Sequence, residues 1–487
     1  MTVVDATGQI PRDGGNWVDE FAGYAPRRAQ RAGPKAAPRT AAPSSATPRF
    51  QAVLDQVALE QEEALPGAIR RLPLRERRRL ALERLHVSTV PRAKRGAKAD
   101  GRTSIWDIPR VWDSAHGPAP IGFYVIAIVV ALFVMLGLVM VLSSTAQNQV
   151  GQGYSPFETF SRQAMWAGIG LLGLVVAMRL NLAFVRRLAI VGIVAATAGM
   201  LLPFAPGLGT TVNGARAWVM FGGLSVQPSE FLKLAVVLFI ADLLVRRQHE
   251  LTDVKRGLLP LAVLCAITAG ACLAQGDLGS AIVMAGIVLA AAFVAGVPLS
   301  PIIASLGLAT TFAAAVVVSS PYRRQRFAAF LDLAGHKGDE GYQMWQAQLA
   351  MASGGLTGSG VGQGNGKLGY LPLAHSDFIF AVVADELGFI GAFAVVGGFA
   401  ILTWYGIQAA LSSPDRFGML LAGAISAWFG VQAVVNMGGV TGVLPVTGLT
   451  LPFFSAGGSS LFISMTAAGL LLNVARRGQL AKTRDRE

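Results

Sequence analysis

From about residue 121 to the C-terminus, long apolar runs alternate with shorter polar breaks. The runs are about 17 residues or longer, enough for a helix to approach the roughly 30 Å of a bilayer's hydrocarbon core. Ten of them are predicted to be membrane-spanning helices, at about 121–143, 163–182, 187–205, 229–246, 258–275, 279–297, 300–319, 378–406, 418–437 and 459–475. The expected fold is an all-α polytopic membrane protein with ten transmembrane helices. Two breaks stand out. Residues 320–377 include "ASGGLTGSGVGQGNGKLGYLP", and residues 438–458 include "GVTGVLPVTGLTLPFFSAGG". Both are dense in glycine and proline yet apolar. They are expected to re-enter the membrane and line a cavity, where irregular backbone is tolerated at depth. The first follows no strand, so it is not a dinucleotide-binding fingerprint.

Charge gives the topology its direction. The basic clusters "RRL" at 186–188, "RRQHELTDVKR" at 246–256, "DRF" at 415–417 and "ARRGQLAKTR" at 475–484 all fall on one side of the predicted spans. By the positive-inside pattern that side is cytoplasmic, with both termini on it. About 20 of the 41 Lys and Arg precede residue 115, in Ala-, Pro- and Ser-rich sequence such as "APRRAQRAGPKAAPRTAAPSSATPR". The expected organisation is a largely disordered basic cytoplasmic tail over 1–115, a membrane domain over 116–478 and a short cytoplasmic tail over 479–487. The first tail is too poor in apolar residues to bury a core, lacks the apolar stretch of a signal peptide, and suits anionic lipid or a cytoplasmic partner. No motif supports nucleic-acid binding. The whole chain is 53% hydrophobic and 14% charged, against about a quarter charged in soluble domains. Its two cysteines, Cys265 and Cys272, share one apolar run as packing residues, and five scattered His make no zinc site.

The loop 320–377 breaks the charge rule. It lies on the outer side yet carries Arg323, Arg324, Arg326, Lys337 and Lys367, which suits an anionic partner such as a lipid pyrophosphate. Ionisable residues inside or beside spans are functional candidates. Glu230 and Lys233, three apart at the start of a span, are expected to form an ion pair. Asp277 sits in a minimal turn, Asp377 begins a span, and Asp385 and Glu386 lie about two turns deeper, where an interhelical ion pair is the plain expectation. Arg216 belongs to an outer loop.

Four stretches resemble signatures of the FtsW/RodA family, also known as SEDS: "NGARAWVMFGGLSVQPSEFLKLA", "QGDLGSA", the run from "GYQMWQ" to "HSDFIFAVVADELGFIGA", and "NMGGVTGVLPVTGLTLPFFSAGGSS". They occur in the family's order across about 120–475, and "KLGYLPLAHSDFIFA" is more similar to the division branch than to the elongation branch. The resemblance implies a peptidoglycan glycosyltransferase of the bacterial cell membrane that joins lipid II molecules at the extracytoplasmic face. It makes a β-1,4 bond and releases undecaprenyl pyrophosphate. It implies a class B penicillin-binding protein and other divisome proteins as partners. No resident cofactor is implied; a divalent cation, held by hard oxygens and substrate phosphates, would leave no cluster in the sequence. Substrate-binding candidates are Arg216, Asp277, Arg323, Arg326, Lys367, His375, Asp377 and Ser459.

The chain departs from the family pattern at Ala217 (where the second Arg of "NGARRW" stands), Gly276 (the Pro of "QPDLGT"), Leu373 (the acid of "EAHTD") and Ala456 (the Tyr of "SYGGSS"). In "FLDLAGHKGDEGYQ" it departs again. The family's "DP.G.GYQ" loop holds the proposed general base, and aligned without gaps that Asp falls on His336. The candidate catalytic residues are therefore Asp332, Asp339 and His336. The rival readings are a flippase for lipid-linked precursors and a catalytically weak scaffold that recruits the transpeptidase.

Overall fold

The computed structural model describes residues 119–212, 215–221, 224–364 and 371–484, all within a single unit, Thr103–Glu487. The expected tail 1–115 lies outside the described residues, as does Lys367. Among the described residues there are twelve α-helices: α1 Ile121–Gly151, α2 Glu158–Arg179, α3 Leu182–Gly199, α4 Pro228–Arg246, α5 Leu259–Ala274, α6 Leu278–Ala295, α7 Leu299–Ser319, α8 Pro321–Leu331, α9 Tyr342–Ser353, α10 Ile379–Leu411, α11 Arg416–Thr441 and α12 Gly458–Arg484.

Among the described residues, nine helices are long and apolar enough to cross a membrane: α1 to α3, α5 to α7 and α10 to α12. Of the ten predicted spans, α4 is the one outside that set. It has 19 residues, about 28 Å of helix, but carries Glu230, Lys233, Asp242 and Arg246. Those charges are tolerated because α4 sits inside the bundle, against α3, α6, α11 and α12. Lys233 and Asp242 are fully buried while the outer surface is apolar. On α1, Ile121, Tyr124, Ile128, Leu132, Met135 and Val139 form one exposed face at three- and four-residue spacing.

One end of the bundle is basic. Asp242 near the end of α4 binds Arg246 at 2.6 Å and Arg186 of α3 at 2.5 Å, and Arg186 lies over the ring of Phe417 at the start of α11. Arg416 donates to the last carbonyl of α6, Ala295, at 3.1 Å.

The opposite end departs from the all-α expectation. The break between α3 and α4 forms a three-stranded antiparallel sheet, β1 Gly209–Val212, β2 Ala215–Phe221 and β3 Leu224–Val226, in the order β1-β2-β3. The β2 segment "ARAWVMF" alternates and carries β-branched and aromatic residues, which suits a strand. The predicted loop 320–377 contains two helices, α8 and α9. The helix α10 is broken at Gly388, whose φ of 68° and ψ of −167° no helix accommodates.

Candidate functional site

A cavity of about 1120 Å³ opens at the sheet end, larger than the roughly 300–1000 Å³ of ordinary small-molecule pockets. It has two kinds of wall. Thr310, Ala313, Ala314, Val317 and Val318 of α7 form an apolar one. That helix has no buried residue at all, so the wall belongs to an element that faces the membrane on its other sides. The rest of the lining brings in polar groups from five segments: Gln227 and Glu230 at the start of α4, Asp277, Arg323 and Arg326 of α8, Asp339 and Glu340, and Ser376 and Asp377.

Local chemistry explains how each group is aimed. Arg323 and Arg326 are three apart on α8 and so share a face; Arg326 also lies 5.6 Å from the Tyr322 ring centroid. Asp277 caps α6: its Oδ1 accepts from the Ser280 N–H at 2.8 Å, and its Oδ2 accepts from Ser280 Oγ at 2.6 Å and Gln227 Nε2 at 3.2 Å. The preceding Gly276 has φ 84°, a conformation closed to proline, so this turn is built differently from the family's "QPD" pattern. Asp377 sits deep in the wall. Burial pushes its carboxyl up to about 6; the Arg326 guanidinium and a hydrogen bond from Ser376 pull the other way, and the Asp277 charge adds to the rise. Burial also holds the His375 imidazole below its ordinary range.

The three candidates of the "FLDLAGHKGDEGYQ" loop separate. Asp339 lines the cavity together with Glu340, Gly341, Tyr342 and Gln343. Asp332 ends α8 and accepts from the Gly335 N–H at 3.0 Å, while His336 Nδ1 lies 3.0 Å from the Asp332 carbonyl oxygen. These two serve a local turn, and neither lines the cavity.

The substrate-binding candidates separate too. Arg323, Arg326, Asp277 and Asp377 line the cavity. Arg216 does not: Ala215 and Ala217 line it, and on a strand the residue between them belongs to the opposite face. Arg216 is exposed there, and its N–H ties the sheet to the Gln275 carbonyl at 2.9 Å. Ser459 is buried, receives the Gln227 N–H at 3.2 Å and lies behind the wall. His375 contributes its carbonyl, which accepts from the Ala456 N–H at 2.8 Å. Ala217, Gly276, Leu373 and Ala456, the four departures noted in the sequence, all line the cavity.

Behind the polar wall, Lys233 Nζ lies 2.8 Å from both Glu230 carboxylate oxygens and 3.0 Å from Gln432 Oε1, with the Trp428 ring centroid at 5.6 Å. The Gln432 Oε1 accepts from Trp428 Nε1 as well, and its Nε2 donates to the Thr450 carbonyl at 2.8 Å. One turn on, Asn436 Nδ2 donates to the carbonyls of Leu449 at 2.6 Å and Asp377 at 2.9 Å. Sequence reasoning passed over Gln432 and Asn436. The available signal was two amides four apart in the apolar α11, one face of a helix. Among the described residues no three His, Cys, Asp or Glu side chains converge as a metal centre.

Residues 123–480 match the FtsW/RodA/SpoVE family, described as cell cycle proteins. The chain is 39% identical over 354 residues to the probable peptidoglycan glycosyltransferase FtsW of Mycobacterium tuberculosis, covering 73% of this chain and 68% of that one. It is 36% identical over 354 residues to the stage V sporulation protein E of Bacillus subtilis, covering 72% and 96%. Among solved structures it is similar to a chain of a peptidoglycan synthase complex that coordinates polymerization and crosslinking, with TM-score 0.61, 32% identity and coverage of 73% and 98%. It is also similar to the rod shape determining protein RodA of Thermus thermophilus, with TM-score 0.54, 30% identity and coverage of 72% and 95%.

Proposed function

The chain belongs to the FtsW/RodA/SpoVE family of multi-pass membrane proteins, and from that premise we propose that it is a peptidoglycan glycosyltransferase of cell division that polymerises lipid II. The observation that carries this reading is the two-fold character of the cavity lining: arginines and acids from several segments together with an apolar, outward-lying helix. A lipid-linked pyrophosphate sugar has the same two-fold character. Its pyrophosphate suits Arg323 and Arg326, and its lipid suits the α7 wall.

In the proposed reaction the acceptor sugar's 4-hydroxyl attacks the donor's anomeric carbon while the bond to the pyrophosphate breaks. Asp339 takes the hydroxyl proton, and the two arginines neutralise the leaving pyrophosphate. Asp339 is favoured over Asp332 and His336 because it alone of the three lines the cavity. The basic end of the bundle is then cytoplasmic, together with both termini, and the cavity is extracytoplasmic. A class B penicillin-binding protein that crosslinks the emerging strands is the fitting partner, in keeping with the synthase complex that the chain resembles.

Purified chain given labelled lipid II, with and without such a transpeptidase, is expected to make glycan strands. Asp339→Ala should lower the rate by about 10²–10⁴-fold, the usual worth of a positioned general base, while Asp332→Ala and His336→Ala stay near wild type. A wild-type protein that polymerises and an Asp339→Ala variant that matches it would remove Asp339 from the role. The second reading, a catalytically weak member that recruits the transpeptidase, draws on the four departures in the cavity wall. Folded protein that makes no polymer in either condition but binds the transpeptidase would favour it.

A further inference from the structure

Asp385 and Glu386 are both buried, just before the break in α10. The glycine-rich segment Gly354–Gly364 supplies the hydrogen bonds that the broken helix lacks. The N–H groups of Ser359 and Gly360 donate to the carbonyls of Asp385 and Glu386, each at 3.0 Å. Beyond the break, the N–H groups of Phe389 and Ile390 donate to the carbonyls of Gly355 and Leu356, at 2.9 and 3.2 Å. Side chains extend the joint. Asp385 Oδ1 accepts from Ser353 Oγ at 2.8 Å. The Glu386 carboxylate takes one donor from each side: Ser143 Oγ of α1 at 2.5 Å on Oε1, and the Gly362 N–H at 3.1 Å on Oε2.

The segments that flank this joint both reach the cavity. Upstream, α9 runs about 18 Å from Gly341–Met344, which line the cavity, to Ser353 at the joint. Downstream, Leu371 and Ala374 are buried while Pro372, Leu373, Ser376 and Asp377 line the cavity. Glu386 itself does not line it. We propose that Glu386 is a positioning residue for the cavity: its carboxylate clamps Gly354–Gly364 into the broken helix and so fixes the two lining segments on either side. The positioning role rests on the cavity being the reaction site; the clamp does not.

The test compares Glu386→Ala, Glu386→Gln and Ser143→Ala in the purified full chain, by amide hydrogen exchange and by lipid II polymerisation. Glutamine keeps both contacts, with Oε1 accepting from Gly362 and Nε2 donating to Ser143. In Glu386→Ala the amides of 359–362 should exchange roughly tenfold faster or more, as after loss of a buried hydrogen bond. The lining segments 339–344 and 372–377 should loosen with them. Turnover should fall on the order of a hundredfold, the scale of a ~1 Å misplacement of reacting groups. Glu386→Gln should stay close to wild type in both measurements. Ser143→Ala, which leaves the carboxylate and its loop bond in place, should give intermediate exchange, and it carries the test if Glu386→Ala fails to fold.

Wild-type exchange in Glu386→Ala or, if that variant does not fold, in Ser143→Ala would overturn the clamp. A Glu386→Gln variant as inactive as Glu386→Ala, with its amides still protected, would overturn positioning in favour of a role for the charge. A wild-type chain that makes no polymer would count against the proposed function alone, since the exchange measurements still read the clamp.

Discussion

In the segment Gly354–Gly364, Gly354, Gly358 and Gly364 are turned against α10, whereas in Gly442–Gly457 the stretch Pro445–Thr450 turns backbone toward the cavity. In the first, a methyl added at Gly354 would fall 2.0 Å from the Ala384 carbonyl oxygen, and one at Gly358 would fall 2.1 Å from that of Glu386. In the second, a methyl at Gly448 would meet one atom, Asp377 Oδ2, at 3.6 Å. Pro445–Thr450 and Ala456 line the cavity; no residue of Gly354–Gly364 does. The anchors differ in kind as well. The first segment is held mainly by backbone bonds to α10, the second by side chains that reach in from α11: Gln432 to Thr450 and Asn436 to Leu449. Glycine density alone therefore says only that something comes close to the backbone. Whether that neighbour is protein or ligand is decided by what lies along the missing Cα–Cβ bond.

The largest effect that separates the two segments is on stability. Gly358 has φ 82° and Gly448 has φ 72°, so alanine at either costs roughly 1–2 kcal/mol for left-handed backbone. Gly358→Ala adds overpacking against the Glu386 carbonyl, about 1–3 kcal/mol more. Thermal unfolding in detergent should place Gly358→Ala well below Gly448→Ala, and Gly448→Ala should instead change lipid II turnover through its contact with Asp377. The reverse order of melting temperatures would break the comparison.

The second effect is electrostatic and belongs to the cavity side. Asp377 keeps its proton up to about pH 6 in the folded chain, against about pH 4 for an ordinary aspartate. The folded state thus holds more protons than the unfolded state between those values, and stability falls as pH rises through the window. Asp377→Asn removes that fall. The variant should gain stability over wild type as pH rises from 4 to 6 and hold the gain at 7.5. The groups that act on Asp377 are Arg326, Ser376 and Asp277. Because Arg326 lowers the Asp377 pKa, Arg326→Ala should move the window's upper edge higher. A flat difference between Asp377→Asn and wild type from pH 4 to 8 would mean that the carboxyl is not held in a desolvated wall.

What was legible in the sequence follows from this contrast. Nine spans were readable because an apolar run of that length is a strong signal. The Glu230–Lys233 pair was readable because three-residue spacing on a helix brings side chains together whatever surrounds them. The sheet over 209–226 was missed: its strands are three to seven residues long and sit within a loop between spans. Asp385 and Glu386 were expected in an interhelical ion pair. Among the described residues Glu386 accepts from a hydroxyl and an amide, an arrangement that depends on a helix break marked by a single glycine and that spacing does not reveal. Nor does spacing tell Asp339 from Asp332. The distinction comes from the turn that Asp332 and His336 close between themselves, which leaves Asp339 at the cavity.

The smallest effect concerns the size of the cavity. Ala456 is half-buried in the second segment and lines the wall, where the family pattern carries tyrosine. Its N–H is held by the His375 carbonyl, so the backbone there is fixed and a larger side chain must grow into open volume. Ala456→Tyr should therefore fold with little change in melting temperature and shift the KM for lipid II by about three- to tenfold, the scale of ~1 kcal/mol in ligand contact. Its counterpart is Leu356→Ala in the first segment. Leu356 is 72% exposed and lies away from the cavity, so removing its side chain should leave both KM and kcat unchanged. Equal kinetic shifts in the two variants would mean that Gly354–Gly364 also reaches the substrate, and the division of labour between the two glycine-rich segments would fail.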